Sequence, residues 1–303
     1  MNTTAATAHI NANANANASV LKRITVPFMH GARQALQWRL LTLWLAAMAL
    51  PWLLGLLPLW LGLAEVLDHA LLGRRLVENF DLTVISEAIS ALRPRGYAPA
   101  SGLGAAVVFV LLLPGLTGLV MAAARAPQRL KFGGLLMGAW SEYGRMARLW
   151  LWALLPLGLA AAAGGAMLKA AKEQALTITL ESDAELLGRA ALVLAALLFL
   201  LAHATVDAAR AQLVIEPRRR SVVRAWWRGL RGLMQHPSRL LVYAAVTIVG
   251  LLLAAMVAWL RIRVAPINGL RFIAALLLGQ ALVLVLAWMR CARLFALVAA
   301  GRG

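Results

Sequence analysis

The sequence predicts an all-α integral membrane protein with six transmembrane helices in three span pairs and amphipathic interfacial helices on the cytoplasmic side. Three observations predict it. The 303 residues are 62% hydrophobic and 14% charged, a balance far from that of a water-soluble globular chain. The charged residues are not scattered, and leave charge-free stretches at 40–64, 96–124, 149–168, 190–206, 240–260 and 272–289. The basic residues also favour alternate connections between those stretches, twenty against ten.

Each stretch holds 17 to 29 residues, and roughly 20 helical residues at about 1.5 Å rise cross a hydrocarbon core. Backbone groups in lipid must pair within the segment, so stretches this long become helices; barrel strands are about half the length. The expected spans are 40–63, 103–124, 149–168, 190–209, 240–260 and 272–290. Residues 1–26, with the tract NANANANA at 11–18, lack the apolar core of a signal peptide and read as a retained disordered tail. Residues 27–303 then form a single membrane domain.

With the N-terminus in the cytoplasm, Lys22, Arg23, Arg33 and Arg39, five basic residues of 125–148, eight of 210–239, and Arg290, Arg293 and Arg302 fall inside. The opposite face receives ten basic residues mixed with nine of the twelve acids. The positive-inside rule therefore expects a bacterial inner-membrane protein with both termini cytoplasmic. Arg261, Arg263 and Arg271 run against the rule, but the flanking cytoplasmic segments outweigh them.

The chain repeats itself. AARA occurs at 123–126 and 208–211, and MRCAR at 289–293 echoes MAAAR at 121–125. After each of the first two comes a segment containing Ala-Trp, at Ala139 and Trp140 and at Ala225 and Trp226. Three units of interfacial helix, span, outside loop and span follow, the first interfacial helix running from Pro27 to about Trp38. The second carries Phe132, Leu135, Leu136, Ala139, Trp140, Tyr143 and Met146 at helical period; the third carries Val223, Trp226, Trp227, Leu230, Leu233 and Met234. In the third, Arg220, Arg224, Arg228 and Arg231 form the opposing stripe. Trp226 and Trp227 can then sit at headgroup depth while the guanidinium groups meet anionic lipid, although a basic stripe of this kind also serves topology alone.

On the outside, Asp81 is the expected N-cap of a surface helix with Leu82, Ile85, Ile89 and Leu92 on one face. Residues 169–189 read as an acidic loop containing Glu181, Asp183 and Glu185. Within the third span, Gly158, Ala162 and Ala166 share a face that permits close helix packing. Pro51, Pro58, Pro114 and Pro156 read as kinks of the kind membrane bundles tolerate.

Polar residues inside spans are costly in lipid and so mark candidate sites. His203, Asp207 and Arg210 stand at i, i+4 and i+7 on one face of the fourth span, and Gln280 lies near the middle of the sixth. The cluster is either a structural ion pair at the membrane edge or a relay for a polar ligand; Gln280 is suited to an interhelical hydrogen bond.

No Walker A loop, GxSxG elbow, HExxH helix, CxxC pair or strand-linked GxGxxG occurs, so no reaction, cofactor or metal is implied. Cys291 is the only cysteine, which excludes an intrachain disulfide framework. The net charge of +18 sits at the edges of spans and does not point to nucleic acid.

The recurring cytoplasmic amphipathic helix followed by a span pair, over about residues 27–300, resembles uncharacterised bacterial multi-span proteins similar to the membrane domain attached to some glycerophosphodiester phosphodiesterases. The resemblance implies a membrane bundle and carries over no site residue. The leading functional expectation is a non-catalytic protein that organises or regulates membrane lipids or protein partners. A transporter or lipid translocase using His203 and Asp207 is the second, and a membrane-embedded lipid enzyme the third. Topology reporters placed after about residues 85, 178 or 266 should read outside, and those after 130, 220 or 300 should read cytoplasm; a cytoplasmic signal at 85 overturns the six-span order.

Overall fold

The computed structural model describes residues 21–68, 97–178, 180–218, 221–264 and 269–302. Eight helices run through the described residues: α1 over 21–35, α2 (Trp38–Asp68), α3 (Tyr97–Arg125), α4 (Phe132–Ala175), α5 (Glu181–Ile215), α6 (Val222–Gln235), α7 (Pro237–Arg263) and α8 (Gly269–Arg302). Six of them, α2, α3, α4, α5, α7 and α8, are long and apolar enough to cross a membrane. The protein is thus a polytopic membrane protein, with its spans in three antiparallel pairs, α2 with α3, α4 with α5 and α7 with α8.

Several element boundaries differ from those expected. α1 already includes residues 21–26, which read as tail. The second interfacial helix and its span are not separate elements: nothing between Phe132 and Ala175 breaks the helix, and α4 runs 44 residues without a turn. Glycine and proline there do not terminate it, because neighbouring helices supply packing that outweighs local propensity. Glu181 and Asp183 lie in the first turn of α5, where negative charge complements the helix dipole. The surface helix expected after Asp81 lies outside the described residues.

The second helix of each pair forms the centre. α3, α5 and α8 pack on one another, and their buried stretches coincide at one end of the bundle: Leu116 to Ala123, Ala204 to Val214 and Ala287 to Val298. α1, the first turns of α4, and α6 surround that end, each resting on a different central helix through glycine. A Cβ on Gly31 would stand 2.7 Å from Ala296 Cβ of α8; one on Gly138 would meet Ala122 of α3; one on Gly229 would stand 2.8 Å from the backbone of Ala208 and Ala209 of α5. Each unit therefore leans on the preceding unit's second span, and α1 closes the ring by leaning on the last.

Away from that end the spans present apolar side chains outward. Leu155, Leu159, Leu192, Leu252 and Trp259 are all more than half exposed, a surface too apolar for water and suited to lipid. α4 and α5 approach closely there through Gly164 against Ala195. The face used is that of Ala153, Ala160, Gly164 and Ala171, whereas Gly158, Ala162 and Ala166, the expected seam, are exposed. Small residues fill both faces of this part of α4, so spacing alone did not select between them.

Near Pro114, whose ring removes a backbone donor from α3, the Tyr143 hydroxyl donates to the Leu111 carbonyl at 2.8 Å. A substitution that adds a side chain at a glycine contact must push helices apart at a cost of about 1–3 kcal/mol. Gly229→Leu should lower the detergent melting temperature, while Gly165→Ala, which meets no neighbour within 4 Å, should leave it within a degree or so of the parent.

Candidate functional site

The buried polar groups converge where α5, α7 and α8 meet. Asp207 is 2% exposed, and Arg210 and Arg293 are each 7% exposed. Helix geometry places Arg210 three residues after Asp207, and its Nη1 donates to Oδ1 of that carboxylate. The other oxygen, Oδ2, faces Arg293 Nε of α8 at 3.5 Å and His203 Nδ1 at 3.4 Å. Tyr243 of α7 completes the group: its hydroxyl accepts from Arg293 Nη1 at 3.3 Å and stands 3.0 Å from His203 Nδ1. With its proton on Nε2, His203 accepts from Tyr243; with the proton on Nδ1, it donates toward Asp207.

Two arginines, Arg210 and Arg293, share one carboxylate, and rings and hydroxyls take up the remainder. Arg293 lies over the Tyr243 ring at 5.4 Å, and Arg290 lies over the Trp44 ring of α2 at 5.6 Å. Arg290 Nη2 also donates to Thr117 Oγ1 of α3 at 3.3 Å. Such ring contacts contribute about 2 kcal/mol each when desolvated. The cluster thus links α2, α3, α5, α7 and α8 through side chains that would each be costly alone.

Of the residues singled out in the sequence, His203, Asp207 and Arg210 come together. Gln280 does not join them: it is half-buried on α8, ten residues before Arg290, about 15 Å along the helix axis. Arg290, Arg293, Tyr243 and Thr117 belong to the cluster and were not anticipated. The echo of MAAAR in MRCAR carried the signal for Arg293, since it places that arginine where Arg125 and Arg210 stand in the earlier units.

A second ionic group sits at the same end of the bundle. Glu142 of α4 pairs with Arg125 of α3 and with Arg145. Arg125 Nη2 donates to the Leu213 carbonyl at 2.7 Å, and Arg145 Nη1 to that of Pro217 at 2.8 Å, so the α3–α4 junction is tied to the end of α5.

α6 turns Val222, Ala225, Gly229, Gly232 and Leu233 inward. Trp226 is half-buried: its Nε1 donates to Thr205 Oγ1 at 2.9 Å and its ring meets Trp152 edge-on. Trp227 is 52% exposed, with Arg231 over its ring at 5.9 Å. Arg224, Arg228 and Arg231 are exposed, and Arg228 pairs with Glu216 at 2.9 Å. Arg220 lies outside the described residues. Among the described residues no three His, Cys, Asp or Glu side chains gather as a metal-ligating group.

Comparison with protein-family models, curated proteins and solved structures finds no match.

Removing one partner of a buried ion pair strands the others, at about 3–5 kcal/mol. Asp207→Asn should therefore destabilise the protein by that order in chemical unfolding, and Arg293→Met added to it should restore part of the loss. Strict additivity of the two changes would show that the residues do not act together.

Proposed function

We propose that this is a non-catalytic membrane protein of the bacterial inner membrane that organises anionic lipid at the cytoplasmic surface, through the outward face of α6. The observation that carries this reading is a division of labour among cations. The arginines of the central cluster, Arg210, Arg290 and Arg293, are occupied by Asp207, Tyr243, Thr117 and Trp44. Arg224 and Arg231, by contrast, face outward beside an exposed Trp227, with no carboxylate paired to either among the described residues. A tryptophan flanked by guanidinium groups at one end of a membrane bundle matches the chemistry of the headgroup layer. The charge count that assigns this end to the cytoplasm also assigns it to the leaflet rich in acidic lipid.

The burial of Asp207 weighs against the transport reading, because a relay needs access to water and the carboxylate is closed off by its own partners. Under the lipid-organising reading, His203→Ala lowers activity only in proportion to stability. A fully stable, inserted His203→Ala protein without activity would return the cluster to the transport reading.

In bilayers containing spin-labelled lipids, changing Arg224, Arg228 and Arg231 together to glutamine should weaken the preference for anionic over zwitterionic lipid by about 1 kcal/mol per unpaired arginine, roughly fivefold each. The smallest share should come from Arg228, which Glu216 already neutralises. An unchanged lipid preference would reduce the stripe to a topology signal.

A further inference from the structure

Beside α6 the bundle does not close. A cleft of about 470 Å³ lies between α4, α5, α6 and the start of α7, bounded by Leu159 and Ala163 of α4, Leu201 and Thr205 of α5, Leu233 of α6 and Leu240 of α7. Its volume falls within the roughly 300–1,000 Å³ of sites that hold small molecules. The gap has a packing cause: α4 meets α5 through Gly164 and Ala195, α5 meets α6 through Ala208 and Gly229, and α4 and α7 share no extensive contact. Along α4 and α5 the walls extend from Pro156 to Ala163 and from Leu198 to Thr205, about 10 Å of helix in each case. The trough therefore runs from the α6 end toward the middle of the bundle.

Arg239 adjoins the lining at its α6 end without being part of it. It precedes Leu240 of the lining, and its Nη1 lies against Gly232, the neighbour of Leu233, where a Cβ would come within 2.7 Å. Glycine at 232 is what lets the guanidinium rest there. Arg239 Nε is buried with no hydrogen-bond partner, and no carboxylate pairs with Arg239 among the described residues, in contrast to Arg125, Arg145, Arg210, Arg228 and Arg293. α7 begins at Pro237 with no acidic residue in its first turn, so the helix dipole adds positive potential beside the guanidinium.

We propose that this cleft is a specific phospholipid site, in which one acyl chain occupies the trough and the lipid phosphate pairs with Arg239. An apolar trough in a membrane-spanning protein with an unpaired cation next to its lining complements a molecule that has both parts joined. A neutral lipid would leave Arg239 unpaired, and a soluble phosphate would leave the trough unfilled. The site deepens the lipid-organising reading but does not use the α6 arginine stripe, so the two can fail separately.

The test uses the full chain in nanodiscs with phosphatidylglycerol carrying a diazirine in its acyl chain, followed by irradiation and peptide mapping. Labelling should concentrate on residues 156–163 and 198–205. Ala163→Phe, at an exposed position of the lining, should remove most of that labelling, as should Ala202→Phe. Arg239→Gln should lower it roughly tenfold, to the level seen with a diacylglycerol probe of the same chain, and Arg239→Lys should retain most of it. Changing Arg224, Arg228 and Arg231 to glutamine should leave cleft labelling intact. Labelling spread evenly over the spans and indifferent to Ala163→Phe and Ala202→Phe would overturn the site. Equal labelling by diacylglycerol would overturn the phosphate pairing, and loss only with the stripe substitutions would move the lipid to the surface of α6.

Discussion

Asp207 is the only buried acid among the described residues, and in a chain whose surroundings are lipid its pairing constrains how the central helices meet. An ionised carboxylate removed from water costs several kcal/mol unless its lone pairs are engaged. Arg210 is available locally, because a residue three positions on shares the helix face. Arg293 and Tyr243 come from other helices, and their approach to Asp207 and His203 requires α5, α7 and α8 to adopt one register. A shift of one helical turn would carry Arg293 and Tyr243 about 5.4 Å from Asp207 and His203, stranding the Arg293 guanidinium and leaving the acid with the partners on its own helix alone.

That register in turn demands close backbones. Ala208, Ala209, Cys291 and Ala292 flank the ion pairs and are buried; larger side chains there would hold α5 and α8 too far apart for Arg293 to reach. The same small residues are then used from outside. Gly229 of α6 lies on Ala208 and Ala209, and Gly31 of α1 lies on Ala292 and Ala296. Trp288 Nε1 fixes α1 further by donating to the Ala32 carbonyl at 3.1 Å. The ionic centre and the glycine contacts are thus two aspects of one packing solution.

The spans were legible because hydrophobicity over about 20 residues is a property of each segment alone. The His203, Asp207 and Arg210 face was legible for the same reason, since helical period needs only one helix. Partners on other helices were not: Tyr243 and Arg290 look like ordinary interfacial residues until α7 and α8 are placed against α5. The direction of α6 was half legible. Its period separated arginines from apolar residues, yet Trp226 turns toward Thr205 while Trp227 turns outward, because adjacent residues on a helix diverge by about 100° and only tertiary contact decides which one is covered. The length of α4 escaped for another reason. The amphipathic period from Phe132 to Met146 reads as a separate interfacial helix, but Glu142 within it is neutralised by Arg125 and Arg145, so one helix can pass through.

The repeat gives the ionic centre its chemistry. The strings MAAAR, VDAAR and MRCAR occupy 121–125, 206–210 and 289–293, so Arg125, Arg210 and Arg293 are equivalent, and so are Ala122, Asp207 and Arg290. Were all three units like the first, with alanine at this position, three arginines would stand at equivalent places with no carboxylate in the string, a like-charge arrangement that a bundle interior cannot sustain. The units differ where the conflict is greatest. In the second, Asp207 supplies the missing acid to Arg210 and Arg293. In the first, Ala122 leaves room for Gly138 of α4, which brings Glu142 within reach of Arg125. In the third, Arg290 adds a cation, and it is drawn away from the other arginines toward Trp44 and Thr117 of the first unit. Each variation at this position is thus matched either by a carboxylate for the arginines or by a ring and a hydroxyl for the added cation. Three similar units can close around one centre because the second position of the repeated string differs in each of them.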